Sequence, residues 1–191
     1  MRSETVNYET LSKVSQFVSS SYDLDDTAEH IVHSLTELLR LKGCALMLLD
    51  RGTDELRLAA AHGLSREYLD KGPISSRRSI AASLTEGPVA IFDVEDDPRL
   101  QYPAQAVKEG IKSILSVPLV LRAKPIGVLR LYTAEPWEFL PQDLIFVQAI
   151  AEIIALVIDN LRMYKGLKSS IEVLKVLRPR TAKNLKRTLY E

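Results

Sequence analysis

The segment Ser75-Ser-Arg-Arg-Ser79 stands just before a short stretch, 79–86, that reads as a helix. Free amides at a helix start attract anions, and two guanidiniums add bidentate donors. Arg77, Arg78 and Ser79 are therefore candidates to hold a carboxylate, a phosphate or a similar anion. The same residues also fit a solvated basic loop with Ser79 as an ordinary cap. A second group, Phe92, Asp93 and Tyr102, flanks an irregular loop that contains Pro98 and Pro103. These residues suit either part of a lid over a site or the pinning of that loop to a sheet. The histidines are His30, His33 and His62. His30 and His33 are three apart on one helix face, which is compatible with joint ligation, but no third ligand is evident nearby. No metal set and no Ser-His-Asp arrangement is read from the chain. One cysteine, Cys44, allows neither an intrachain disulfide nor a cysteine-cluster metal site.

The elements that position these groups follow from periodicity. Residues 5–21 have Val6, Leu11, Val14, Phe17 and Val18 mainly on one helical face. A second helix runs to about Leu41, with Asp25 or Asp26 as its N-cap and Gly43 as its stop. Residues 44–50 form a continuous apolar run, as a strand buried on both faces requires. A turn at 51–54 leads to a returning strand over 55–62. Residues 87–93 read as a turn and a short strand, and 104–109 as one or two helical turns stopped by Gly110. Residues 114–132 read as two strands joined by a tight hairpin. On the second of these, Val128, Arg130 and Tyr132 share one face, while Leu129 and Leu131 share the other. Ile114 and Ser116 on the partner strand belong with the Arg130 side. Pro141 suits the first turn of a long helix with apolar residues at Leu144, Val147, Ile150, Ile154, Val157 and Leu161. Gln148, Glu152, Asp159 and Asn160 interrupt this stretch, so a membrane span is not expected.

The bulk numbers exclude some classes. Lysine plus arginine and aspartate plus glutamate both count 25, so the formal net charge is zero. That balance provides no global field for nucleic acid or an anionic membrane. The start of the chain is polar and lacks a signal-peptide core, so the cytoplasm is the expected compartment. After Tyr164 the residues turn basic, without any recognition motif for nucleic acid.

Taken in order, several segments resemble the GAF domain family. They are 44–50, Ala60-Ala-His-Gly-Leu64, Pro88-Val-Ala-Ile-Phe-Asp-Val94, Asp97-Pro-Arg99, Gly110-Ile-Lys-Ser113, Val117-Pro-Leu119, 126–132, and Phe139 followed by Asp143. The resemblance runs from about Tyr22 to Leu161. It implies an α/β fold of the α+β type, GAF-like and related to PAS domains. A central antiparallel sheet would carry the N- and C-terminal helices on one face. A ligand pocket would lie under an irregular segment on the other.

In that frame the cost of burying a charge beneath helices directs Arg130 toward the pocket, with Ile114, Ser116, Val128 and Tyr132. Arg130 could instead reach solvent or a structural carboxylate. The expected organisation is an N-terminal dimerisation helix over 1–21, a GAF-like sensor domain over 22–164 and a basic helical extension over 165–191. The resemblance implies a non-catalytic signalling module that binds a small molecule and acts as a homodimer through its terminal helices. Its output would lie in a partner protein. A dimerisation scaffold with no ligand is the alternative.

No cofactor is identified from the sequence. The cyclic-nucleotide signature of the family is incomplete, because Ala123 precedes Lys124 and Leu144 follows Asp143; Lys124 and Asp143 are expected to pair as ions at the hairpin tip. Cys44 is not where the bilin-binding members attach their pigment. A free methionine sulfoxide reductase, the enzyme reading, would need several cysteines.

Overall fold

A computed structural model describes residues 12, 23–50, 52–53, 55–70 and 87–177 of the 191-residue chain. Its elements are α1 (Leu24–Leu39), β1 (Gly43–Leu49), β2 (Leu56–His62), α2 (Arg66–Leu69), β3 (Val89–Ile91), α3 (Pro103–Lys108), β4 (Ser113–Leu121), β5 (Lys124–Thr133) and α4 (Pro141–Leu177). The five strands form one antiparallel sheet in the order β2-β1-β5-β4-β3. This is the expected α+β architecture. Apart from residue 12, the helix expected over 5–21 lies outside the described residues, as do the whole of the segment 71–86 and the basic extension beyond 177.

Alternation along the central strands separates two apolar layers. Leu46, Leu48, Leu115, Val117, Leu129 and Leu131 face α1 and α4, where Ile31, Leu35, Ile150 and Ile154 meet them. Ala45, Met47, Ile114, Val128 and Tyr132 face the other way, onto Tyr68, Val94, Ala106 and Ile111. A strand with both faces buried must be apolar at every position, which explains the unbroken run in β1.

Several local expectations are corrected. The N-cap of α1 is Asp23, not Asp25 or Asp26. Its Oδ1 accepts from the Asp25 amide at 2.8 Å and the Asp26 amide at 3.3 Å. Starting two or three residues earlier lets Leu24 pack on the core. The helix ends at Arg40, in the left-handed region at φ 51°, rather than at Gly43. Gly43 instead lets β1 approach β2: a Cβ there would lie 2.8 Å from the His62 carbonyl oxygen. The expected Lys124–Asp143 ion pair does not form. Asp143 Oδ2 accepts from the Leu140 amide at 3.1 Å, closing the first turn of α4 as a capping box does. The hairpin between β4 and β5 turns through Arg122 and Ala123, both at positive φ.

Contrary to the sequence expectation, α4 is long and apolar enough to cross a membrane by length and composition. Val147, Ile150, Ile154 and Ile158 are nevertheless buried in the helix-side core, which is where a core helix places such residues.

Candidate functional site

Among the described residues, the face of the sheet opposite the long helices holds one buried charge. Arg130 lies in the middle of β5, paired in register with Ser116 on β4 and Ala45 on β1. The residue is 2% exposed. Its Nε donates to Ser116 Oγ at 3.1 Å, and its Cζ lies 5.5 Å from the centre of the Tyr132 ring. Its Nη2 is buried and has no hydrogen-bond partner. Among the described residues no carboxylate pairs with this guanidinium. A buried cation without a counter-charge is costly, and the fork geometry of Arg suits a carboxylate or phosphate.

Tyr132 stacks edge-on against Tyr68 of α2, with ring centres 5.9 Å apart. Burial raises both phenols above their usual range; for Tyr68 the neighbouring Tyr132 adds to the effect. Both therefore stay protonated at neutral pH. Tyr68 also borders a cavity of about 260 Å³ lined by Ser65, Glu67, Gln105, Lys108 and Glu109. The small helix that carries Tyr68 is held from outside. Ser65 caps it, accepting from the Tyr68 amide at 3.1 Å. Glu109 then takes the Ser65 amide at 2.8 Å, the Ser65 hydroxyl, and the Lys42 ammonium at 3.4 Å. Burial pushes the Glu109 carboxyl up, but the Ser65 donors and Lys42 outweigh it and hold the carboxyl below its ordinary value.

The sequence-derived candidates divide into three groups. Ile114, Ser116, Val128, Arg130 and Tyr132 are all buried, and Ile114, Val128 and Tyr132 join the same apolar cluster. Phe92, Asp93 and Tyr102 sit on the loop side. Phe92 is 52% exposed, the Asp93 carboxylate closes a turn by accepting from the Glu95 amide, and Tyr102 opens α3 with its hydroxyl accepting from Gln101. Arg77, Arg78 and Ser79 lie outside the described residues.

Sequence reasoning missed Tyr68, whose place beside Tyr132 depends on packing between residues 64 positions apart. It also missed the work of Arg99. That side chain grips Asp97 through Nε and Nη2 and donates to the Ala90 carbonyl at 2.8 Å, tying the loop to β3. The Arg99 guanidinium in turn holds the Asp97 carboxyl below its usual range.

The histidines also regroup. His33 meets His62 rather than His30, with ring centres 4.5 Å apart, and Glu37 stands beside them. The one cysteine, Cys44, is fully buried, and burial pushes its thiol far up.

A family model described as GAF domain matches residues 21–159. Among solved structures the chain is similar to the GAF domain of a phosphoenolpyruvate-protein phosphotransferase from Coxiella burnetii. The identity is 20%, the TM-score is 0.74, and the match covers 85% of this chain and 98% of that one. It is also similar to the corresponding domain from Acinetobacter, at 21% identity and TM-score 0.70, over 84% and 97% of the two chains. A free methionine-R-sulfoxide reductase from Neisseria meningitidis, solved with its substrate, matches at 22% identity and TM-score 0.71, over 85% and 95%. At these identities the likeness is one of fold. No curated protein sequence matches the chain.

Proposed function

We propose, from the premise that this chain belongs to the GAF domain family, that it is a regulatory domain binding a small anionic molecule through Arg130. The observation that carries this reading is the buried guanidinium with one nitrogen unpaired. An anion at Nη2 would relieve an uncompensated buried charge, and the protonated Tyr68 and Tyr132 phenols would serve as neutral donors around it. Arg77, Arg78 and Ser79 are proposed to add donors from the segment that precedes β3, with Phe92, Asp93 and Tyr102 bordering the site.

The signal leaves by the opposite face. Leu129 and Leu131 flank Arg130 in sequence and point to the helices, so a ligand that moves Arg130 also presses on the helix layer. Binding then shifts a population between two helix arrangements, provided its affinity differs between them. We read the chain as a homodimer joined through its terminal helices. In support, Met163, Leu167, Ile171 and Leu174 are exposed along the far half of α4. An output partner protein receives the signal, and the compartment is the cytoplasm.

We read no catalysis into the domain. A thiol buried like Cys44, with its ionisation suppressed, is a poor nucleophile and a poor redox centre. Native mass spectrometry of the purified chain tests the reading: an excess mass of a small acid, released on denaturation, is expected. A bare chain that also gains no thermal stability from millimolar carboxylates or phosphate would favour a ligand-free dimerisation scaffold.

A further inference from the structure

We propose that His33, Glu37 and His62 form a divalent metal site, suited to zinc, that clasps α1 to the edge strand β2. His33 and Glu37 are four apart on α1, so their side chains share one helix face. His62 ends β2, an edge strand of the sheet, on which α1 packs. It stands two residues beyond Ala60, which belongs to the core beneath α1, so alternation turns His62 to the same side. The meeting of these residues is thus built into the packing of helix on strand.

The geometry is near to that of a bound ion. The three donor atoms lie within 4.8 Å of one another. In tetrahedral zinc, with bonds of about 2.0–2.1 Å, donor atoms sit roughly 3.3–3.4 Å apart. His33 and Glu37 are exposed and His62 is half-buried, so the two helix side chains can close the gap by small rotations. Two imidazoles and one carboxylate suit a borderline ion such as Zn²⁺ better than Mg²⁺ or Ca²⁺, which prefer oxygen. Three protein ligands leave a coordination position open to solvent. A bound ion would therefore keep a water or accept a donor from another molecule. The site lies apart from Arg130, on the helix side of the sheet.

Calorimetric titration of the full chain with zinc chloride tests this, alongside the visible absorption of the Co²⁺ form. One ion per chain is expected, with a low-coordinate cobalt spectrum. Glu37→Gln, an exposed change that leaves the core intact, should weaken binding about tenfold or more. His62→Asn should weaken it further, and His30→Asn should leave it unchanged. Circular dichroism checks that each variant is folded. No zinc binding at about 100 μM, a concentration at which even an interaction of about 5.5 kcal/mol would be half-saturated, would overturn the proposal. So would binding that survives both Glu37→Gln and His62→Asn.

Discussion

Arg130 and Ser116 face each other as direct register partners across β4 and β5, and the Arg130 Nε donates to the Ser116 hydroxyl at 3.1 Å. This bond holds a buried guanidinium in place while leaving its Nη2 unpaired. The pair therefore separates two properties: what stabilises the fold and what awaits a ligand.

Removing Ser116 alone should be harmful. Ser116→Ala strips the partner from a buried cation and should cost about 1.5–3 kcal/mol in urea unfolding. The double variant Ser116→Ala/Arg130→Met removes both polar groups and should be as stable as the parent or more so. It should also lose any thermal stabilisation by millimolar carboxylate or phosphate. Retained stabilisation in the double variant would remove Arg130 from the proposed site.

The hairpin between β4 and β5 carries avoidable strain. Arg122 and Ala123 have φ of 50° and 60°, as a type I′ turn requires, yet neither is Gly or Asn. Ala123→Gly removes a left-handed cost of roughly 1–2 kcal/mol against a glycine entropy cost of roughly 0.5–1. A small net gain, about 0.5 kcal/mol or a little more, is expected as a higher unfolding midpoint. A lower midpoint would show that the turn does not hold these angles in solution.

Gly127 sits on β5 opposite Leu48 of β1, with no room for a side chain. A Cβ there would lie 2.3 Å from the Met47 carbonyl oxygen, a backbone atom that cannot step aside. Gly127→Ala should therefore destabilise by on the order of 2 kcal/mol or more, read from the same unfolding curves. A neutral result would mean that the strands are farther apart than described.

Glu109 sets a pH dependence. Its carboxyl titrates lower in the folded chain than in the unfolded one, because Ser65 and Lys42 outweigh its burial. The folded state thus binds fewer protons. The stabilisation is complete above the ordinary carboxylate value, about 4.3, and is lost as pH falls through the lower folded value. Glu109→Gln should flatten stability between about pH 5 and 3 relative to the parent. Parallel curves for the two proteins would assign the acid sensitivity elsewhere.

The exposed stripe on α4 bears on assembly. Leu167→Glu/Leu174→Glu places charges at two solvent-facing positions of the helix and should leave its helicity intact. Light scattering at micromolar concentration should report a dimer for the parent and a monomer for the variant. A parent that is already monomeric would end the dimer reading.

The strand pattern was legible because it is local. The apolar run of β1, the alternation that separates Arg130 from Leu129 and Leu131, and the hairpin before them are each written within a few residues. So is Pro141 at the start of α4. The family resemblance rests on the same segments. Where local signals competed, reading them singly failed. Asp23, Asp25 and Asp26 are all good caps, and the choice among them was made by Leu24 reaching the core. Asp143 could pair with Lys124 or cap α4, and the nearer amide won.

The amino-acid sequence by itself determined the sheet, its two faces and the side on which a charge could be tolerated, because hydrophobic burial follows a period of two along a strand. Only the tertiary structure decided which distant groups meet. Tyr68 against Tyr132, Glu109 on Ser65, and His33 beside His62 and Glu37 join residues from different elements. Such meetings are set by the register of one element on another, which depends on packing across the whole core rather than on any short stretch of chain.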